Sequence, residues 1–341
     1  MKRYFLFLFL LATVTLQAHD FEVTLNGNTL YFNIIGDNSV ALTYRGSIDD
    51  TLRPSYSGTL TLPERVLHNA ISYTVTTVGD KAFSGAEGID RVVFPKSVGT
   101  IGDFAFEGCT RLSSVVFPSG TVAMGQGVFF RCSSLKHLTF GGEWKVLDLT
   151  PYRWSDSLTA IQVPAKVERI LNMKSLSHLT SVSVDVNNTH FASEEGVLYS
   201  KDGKTLYGVP RAYRGTLTIA TGTEVVERGA LMDCVGIRNI VVPATVQTLS
   251  FRETSRMRDL QEVRMLATKP MTTAYDAQGK GCFLLMLANS KAKIVVPVAA
   301  KEAYLKALAT QPGDYAEQSQ GIAYSVENHQ APAVKNIATV K

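Results

Sequence analysis

Ile101-Gly102-Asp103-Phe104-Ala105-Phe106-Glu107-Gly108-Cys109-Thr110-Arg111-Leu112-Ser113-Ser114-Val115-Val116-Phe117-Pro118 decides how this chain folds, because its landmarks recur every 23 residues. Phe83, Phe106 and Phe129 keep that spacing, and so do Ala86, Cys109 and Cys132. Ile89, Leu112, Leu135 and Leu158 form a third series. Phe94, Phe117, Phe140 and Val163 form a fourth, with Pro95, Pro118 and Pro164 directly behind three of them. Self-similarity at a period of about 20–30 residues marks a solenoid, in which each unit buries its apolar side only against its neighbours. In the quoted unit Leu112, Val115 and Phe117 have strand spacing and point inward, while Ala105, Phe106 and Cys109 fit a short helical or 3-10 turn. The proline closes the strand where a ladder hydrogen bond is no longer needed.

The beat survives decay of the sequence. Val184 follows Val163 by 21 residues, Ile219 comes 35 later, and Val242 and Met265 return to 23. The surplus holds two alternating stretches around Asp202-Gly203, which predict a β-hairpin over 196–210 projecting from the solenoid. Upstream, residues 19–74 alternate and are rich in β-branched and aromatic side chains, with Asn26-Gly27-Asn28 and Gly36-Asp37-Asn38 as turns. This segment is expected to be an N-terminal β-hairpin cap over the open end of a solenoid at 75–269. After Lys269-Pro270 the repeat breaks up. Lys293–Pro297 is expected to be the last strand and Lys301–Ala309 a short amphipathic helix, within a C-terminal cap and tail at 270–341.

Residues 1–18 have the layout of a signal peptide. Lys2 and Arg3 precede an apolar run from Tyr4 to Leu11, and Leu16-Gln17-Ala18 ends on a small residue suited to cleavage. Thr13, Thr15 and Gln17 interrupt the run too early for a membrane span of about 20 residues. The expected product is exported: secreted, on the cell surface or in the periplasm, with no membrane insertion after cleavage. The formal charge of +4 falls to about +2 without Lys2 and Arg3, too little to point to nucleic acid. Cys109, Cys132 and Cys234 share one repeat position with Ala86 and Ser155, a position for a small buried side chain. A Cys109–Cys132 bridge is geometrically possible between units about 4.8 Å apart, but free buried thiols are the preferred reading.

The phrase from Ile101 to Pro118, with weaker copies beginning at Val78, Met124 and Val226, closely resembles the BspA-type leucine-rich repeat of host-associated bacteria. The Asp20-Phe21-Glu22 opening, the hairpin at 196–210 and the stretch from Ile294 to Tyr304 look like recurrent parts of that family. The resemblance implies a β-rich leucine-rich-repeat solenoid of short strands and short helical or 3-10 turns. It also implies an exported or surface-exposed monomer, some relatives being adhesins for host matrix proteins or other cells. The units from Leu138 to Leu179 depart from the pattern, losing the Ala-Phe and Cys positions and gaining Trp144 and Trp154.

Catalytic motifs are missing from the sequence. His19, His68, His137, His178, His190 and His329 form no HExxH, and there is no GxSxG, P-loop or CxxC. Neither a cofactor nor a metal is expected. Asp185-Val186-Asn187-Asn188 suggests a turn before the hairpin rather than a calcium loop.

Binding is therefore expected on the outward strand face. One outward row is Val93, Val116, Thr139, Gln162, Ser183, Thr218, Val241 and Arg264. The adjacent row is Arg91, Ser114, His137, Ala160, Ser181, Thr216, Asn239 and Glu262. Candidate contacts are His137, Thr139, Gln162, Asn239 and Arg264, together with an aromatic cluster of Trp144, Tyr152, Arg153 and Trp154, since such residues are enriched at interface hot spots. The competing reading of those rings is that they fill the core left by the lost Phe and Cys. The expected ligand is a host or bacterial surface protein or a glycan. A structural role in the cell envelope, or a hydrolase with an unrecognised cleft, are the alternatives.

Overall fold

Two columns of stacked rings run through the units between Phe83 and Tyr152 and mark their repeat. Phe83, Phe106, Phe129 and Tyr152 stack in sequence with ring centroids 5.0, 5.6 and 5.4 Å apart. Phe94, Phe117 and Phe140 form the second column, each step 5.4 Å. These steps are close to the spacing of neighbouring strands, so a ring in every unit at the same position must meet the next ring face to face.

In this computed structural model the described residues are 19–45, 55–119, 122–141, 143–153, 155–249, 257–270, 292–309 and 324–327. They form a β-solenoid of about eight turns. The chain opens with antiparallel strands β1 (Phe21–Leu25), β2 (Asn28–Gly36) and β3 (Ser39–Thr43). Then come β4 (Ser57–Thr61) and a hairpin of β5 (Arg65–His68) and β6 (Ile71–Val78). Each following unit contributes a longer and a shorter strand: β7 (Gly88–Val93) and β8 (Thr100–Ile101), β9 (Ser114–Ser119) and β10 (Ala123–Met124). Next are β11 (His137–Gly141) and β12 (Val146–Asp148), then β13 (Ala160–Val163) and β14 (Arg169–Leu171). β15 (Ser181–Val184) leads into β16 (Phe191–Glu194), β17 (Val197–Ser200) and β18 (Thr205–Gly208). The pattern resumes with β19 (Gly215–Thr218), β20 (Val225–Val226), β21 (Ile237–Val242), β22 (Thr248–Leu249) and β23 (Glu262–Met265). β24 (Lys293–Pro297), helix α1 (Lys301–Ala309) and β25 (Tyr324–Glu327) complete it.

The longer strands pair in parallel on one side and the shorter strands on the other, with the apolar core between them. β1–β3 extend the short-strand sheet, β3 pairing with β6. β24 is not the last strand, since β25 pairs with it in parallel. The leader expected at 1–18, Cys282 and most of the expected tail lie outside the described residues.

The Ile-Gly-Asp phrase has a local cause. The carboxylate of Asp80 accepts the Asp103 amide at 2.7 Å, and that of Asp103 accepts the Gln126 amide at 2.8 Å. Each carboxylate occupies the space beside the next unit's glycine. A Cβ on Gly102 would lie 2.2 Å from Asp80 Oδ1 and 2.6 Å from the Asp80 nitrogen. By contrast, a Cβ on Gly99 would meet nothing within 4 Å. Gly102→Ala is therefore expected to lower stability by about 1–3 kcal/mol, and Gly99→Ala to change it by less than about 0.5 kcal/mol. Denaturant unfolding of the two variants checks this, and equal losses would contradict it.

The segment after each Asp is a bonded turn whose amides serve the neighbouring unit. Lys81, Phe83 and Gly85 donate to the carbonyls of Asp103, Ala105 and Glu107, and Phe104, Phe106 and Gly108 donate to those of Gln126, Val128 and Phe130. Left-handed residues flank each turn, at Phe104 (φ 54) and Gly108 (φ 68) in the quoted unit. One-turn 3-10 helices occur at Thr150–Tyr152 and Met173–Ser175. The Cys position supplies a donor as well as a small volume. Cys109 and Cys132 donate to the carbonyls of Phe83 and Phe106 at 3.2 and 3.1 Å, and Ser155 donates to that of Phe129 at 3.3 Å. Cys109 and Cys132 are unbridged, and all three cysteines of this position, Cys109, Cys132 and Cys234, are buried. Hydrogen bonding with Cys132, together with burial, holds the Cys109 thiol well above its ordinary pKa, in its neutral form.

The hairpin expected to project is built into the wall instead. β17 pairs antiparallel with both β16 and β18, while β18 joins β20 in parallel. Val197, Leu198 and Tyr199 are all buried, because successive β17 side chains face two different cores. Leu198 packs in the core that reaches back to Phe21, and Val197 and Tyr199 in the one that continues to Tyr304.

Candidate strand-face binding groove

The strand ladder aligns the two outward rows in the expected register. Ser114 faces His137 and Val116 faces Thr139 across β9 and β11. Ala160 faces Ser181 and Gln162 faces Ser183 across β13 and β15. Further on, Thr216, Asn239 and Glu262 are in register, as are Thr218, Val241 and Arg264.

The long-strand side is interrupted. β11 ends a four-stranded sheet, β13 and β15 form a two-stranded one, and β19 begins another. At the opening between β11 and β13 lies a groove of about 720 Å³ lined by Lys136, His137, Thr139, Asp156, Thr159 and Gln162. His137, Thr139 and Gln162 are exposed there, so three of the sequence-derived candidates meet in one place. Phe140 is the last ring of its column at this point, with Val163 in the next unit, and Trp144 packs edge-on against both Phe140 and Phe117.

The groove's chemistry is that of hydrogen bonding. Thr139, Thr159, Ser157 and Ser183 provide hydroxyls, Gln162 an amide and His137 an imidazole. Ser157 is tied to the carbonyl of Ser133, and Ser183 to that of Ile161. Lys136 and Asp156 supply one charge of each sign. Asp156 lies 3.4 Å from His178, with both side chains more than half exposed. Such an arrangement can hold an extended polar ligand by many weak contacts. It does not enclose an acid and a base away from water, which tuning them for catalysis requires.

The aromatic cluster is corrected by burial. Trp144 and Tyr152 are core side chains, 2% and 0% exposed, and neither can meet a partner on the folded surface. Tyr152 stands 23 residues after Phe129 and occupies the ring position of its unit, with its plane 4° from that of Phe129. The loss of the aromatic position expected over 138–179 is corrected for the first unit only, where Tyr152 takes the Phe place and Ser155 the Cys place, while Ser175 and His178 stand at those positions in the next. Arg153 is exposed but does not line the groove, and Trp154 lies outside the described residues. Asn239 and Arg264 sit on the separate sheet that starts at β19. Asn239 donates to Thr216 Oγ1 at 3.2 Å, and Arg264 is paired with Glu262 at 2.8 Å.

Asp185, which the sequence reading assigned to a turn, accepts both the amide and the side chain of Asn187, at 2.9 and 3.2 Å. Sequence reasoning did not find Lys136, Asp156, Ser157 or Thr159 as part of a site. Their neighbours Leu135 and Leu158 keep the 23-residue beat, so nothing in the spacing announces that the ladder opens between them.

A family model described as the BspA type leucine rich repeat region matches residues 66–190, in six copies. No curated protein matches. Among solved structures, the pneumococcal vaccine antigen PcpA is 14% identical, covering 91% of this chain and 100% of its own, with a TM-score of 0.45. A leucine rich cell surface protein from Faecalibacterium prausnitzii A2-165 is 18% identical, covering 91% and 96%, with a TM-score of 0.42. The T. pallidum leucine rich repeat protein is 19% identical, covering 69% and 78%, with a TM-score of 0.35.

Proposed function

We propose that this chain, whose residues 66–190 are leucine-rich repeats of the BspA type, is an exported binding protein without catalytic activity. In this reading it holds a protein or glycan ligand of a host or bacterial surface against its long-strand face. The observation that carries this is the groove between β11 and β13, where eight polar or charged side chains converge at the opening between two sheets. A solenoid face is preorganised, so contacts that are individually weak cost little ordering when a ligand binds. The charges nearly cancel, so recognition rests on hydrogen bonding and shape with little steering. The leader-like residues 1–18 support export, and no helix among the described residues is long and apolar enough to cross a membrane.

Capture of host matrix proteins on the immobilised chain tests this reading. His137→Ala/Gln162→Ala should weaken capture by about tenfold or more, while the melting temperature stays put because both positions are exposed. Capture unchanged by the double substitution would remove the groove from the mechanism. Capture of nothing by the wild type would favour the structural role in the cell envelope.

A further inference from the structure

A second groove has a different chemical character and lies on the short-strand side. β14 ends one short-strand sheet and β18 belongs to the next, so the two do not pair. Between them is a groove of about 440 Å³, within the range of ligand and side-chain pockets. Met173, Lys174, Tyr207, Arg211, Arg228 and Met232 line it. We propose that this groove receives an acidic peptide segment of a partner protein, one that carries an apolar side chain beside its carboxylates.

Charge argues for the acidic part. Three cations border the groove, and only Arg211 has an anionic partner among them, Asp233 at 3.1 Å. Its guanidinium also donates to the carbonyl of Lys174 at 2.9 Å, which fixes it in place. Lys174 and Arg228 are exposed and have no ion pair among the described residues. The groove therefore presents an excess of two positive charges, whereas the strand-face groove carries one of each sign.

The floor argues for a peptide over a sugar. The Met173 methyl lies over Gly208, where a Cβ would come within 2.2 Å of it, and Met232 adds a second thioether. Thioethers adapt to apolar side chains and offer hydroxyl-covered rings few hydrogen bonds. Tyr207 is 42% exposed, a large ring at the surface, and its edge-to-face contact with Phe191 at 5.6 Å holds it in position. A fixed aromatic beside arginines is the usual composition of an interface hot spot. This inference stands apart from the strand-face reading, since the two grooves share no residue.

The test uses the full chain and three probes: a fluorescein-labelled peptide alternating Glu and Leu, its Lys/Leu counterpart, and a sulfated oligosaccharide. The Glu/Leu peptide should bind, and its affinity should fall about tenfold between about 0.05 and 0.5 M salt as the charges are screened. Lys174→Glu/Arg228→Glu should weaken it by about tenfold or more at unchanged melting temperature, and Tyr207→Ala should weaken it as well. His137→Ala/Gln162→Ala should leave it as in the wild type. No binding of the Glu/Leu peptide, equal binding of the Lys/Leu peptide, tighter binding of the oligosaccharide, or indifference to the charge reversals would each overturn the proposal.

Discussion

Tyr152→Ala is expected to cost about 3–5 kcal/mol, the scale of removing a large ring from a packed core. Tyr152 is fully buried, stacks on Phe129 and meets the edge of Phe117 at 6.4 Å. Its hydroxyl makes one weak contact, 3.8 Å to the sulfur of Met124, so it adds little beyond the ring. Burial raises the phenol well above its ordinary pKa, which keeps it neutral. Tyr152→Phe should therefore lie within about 1 kcal/mol of the wild type. Denaturant unfolding read by hydrogen exchange in the first core separates the two variants. A Tyr152→Ala protein as stable as the wild type would mean that the aromatic column does not hold the units together.

Asn188→Ala should be nearly as damaging, for a different reason. Asn188 is completely buried and its side chain makes four hydrogen bonds. Its amide donates to the carbonyls of Pro164 and Val167 at 2.8 and 2.9 Å. Its oxygen accepts the amides of His190 and Phe191 at 2.8 and 2.7 Å. One side chain thereby ties the turn after β13 to the start of β16, just ahead of the hairpin. Each buried group left without a partner costs about 1–3 kcal/mol, so the total should reach about 3 kcal/mol even if water reaches some of them. Amide exchange in β16 and β17 should accelerate most. Acceleration spread evenly over the chain, or none, would contradict this role.

The parts of the fold that follow from period alone were legible in the sequence. A ring, a small side chain and a strand repeated from unit to unit must stack where the units stack, and the rows through Ser114 and His137 align for that reason. The chemistry behind the landmarks was less legible. Gly102 and Gly125 are small because a carboxylate from the preceding unit, Asp80 or Asp103, fills the space beside each, a contact made 22 residues away. Tyr152 was offered as a surface contact with core filling as the competing reading, and its burial on the beat beside Phe129 bears out the second. The hairpin at 196–210 was legible as β17 and β18 but its place in the wall was not, because a hairpin signal does not say whether its strands join a sheet, and β17 is apolar at consecutive positions, as a strand buried on both faces must be. The strand-face groove was legible only through His137, Thr139 and Gln162, since the strands part there while the apolar spacing continues, and the second groove was not read although it lies where the insert breaks that spacing.

Hydrogen exchange of the full chain, with and without a captured host matrix protein, tests the central claim most directly. The account predicts slowed exchange at residues 136–139 and 159–162, with the aromatic core at Trp144 and Tyr152 unchanged. Capture with no protection at those strands, or with protection confined to the sheet that starts at β19, would contradict it.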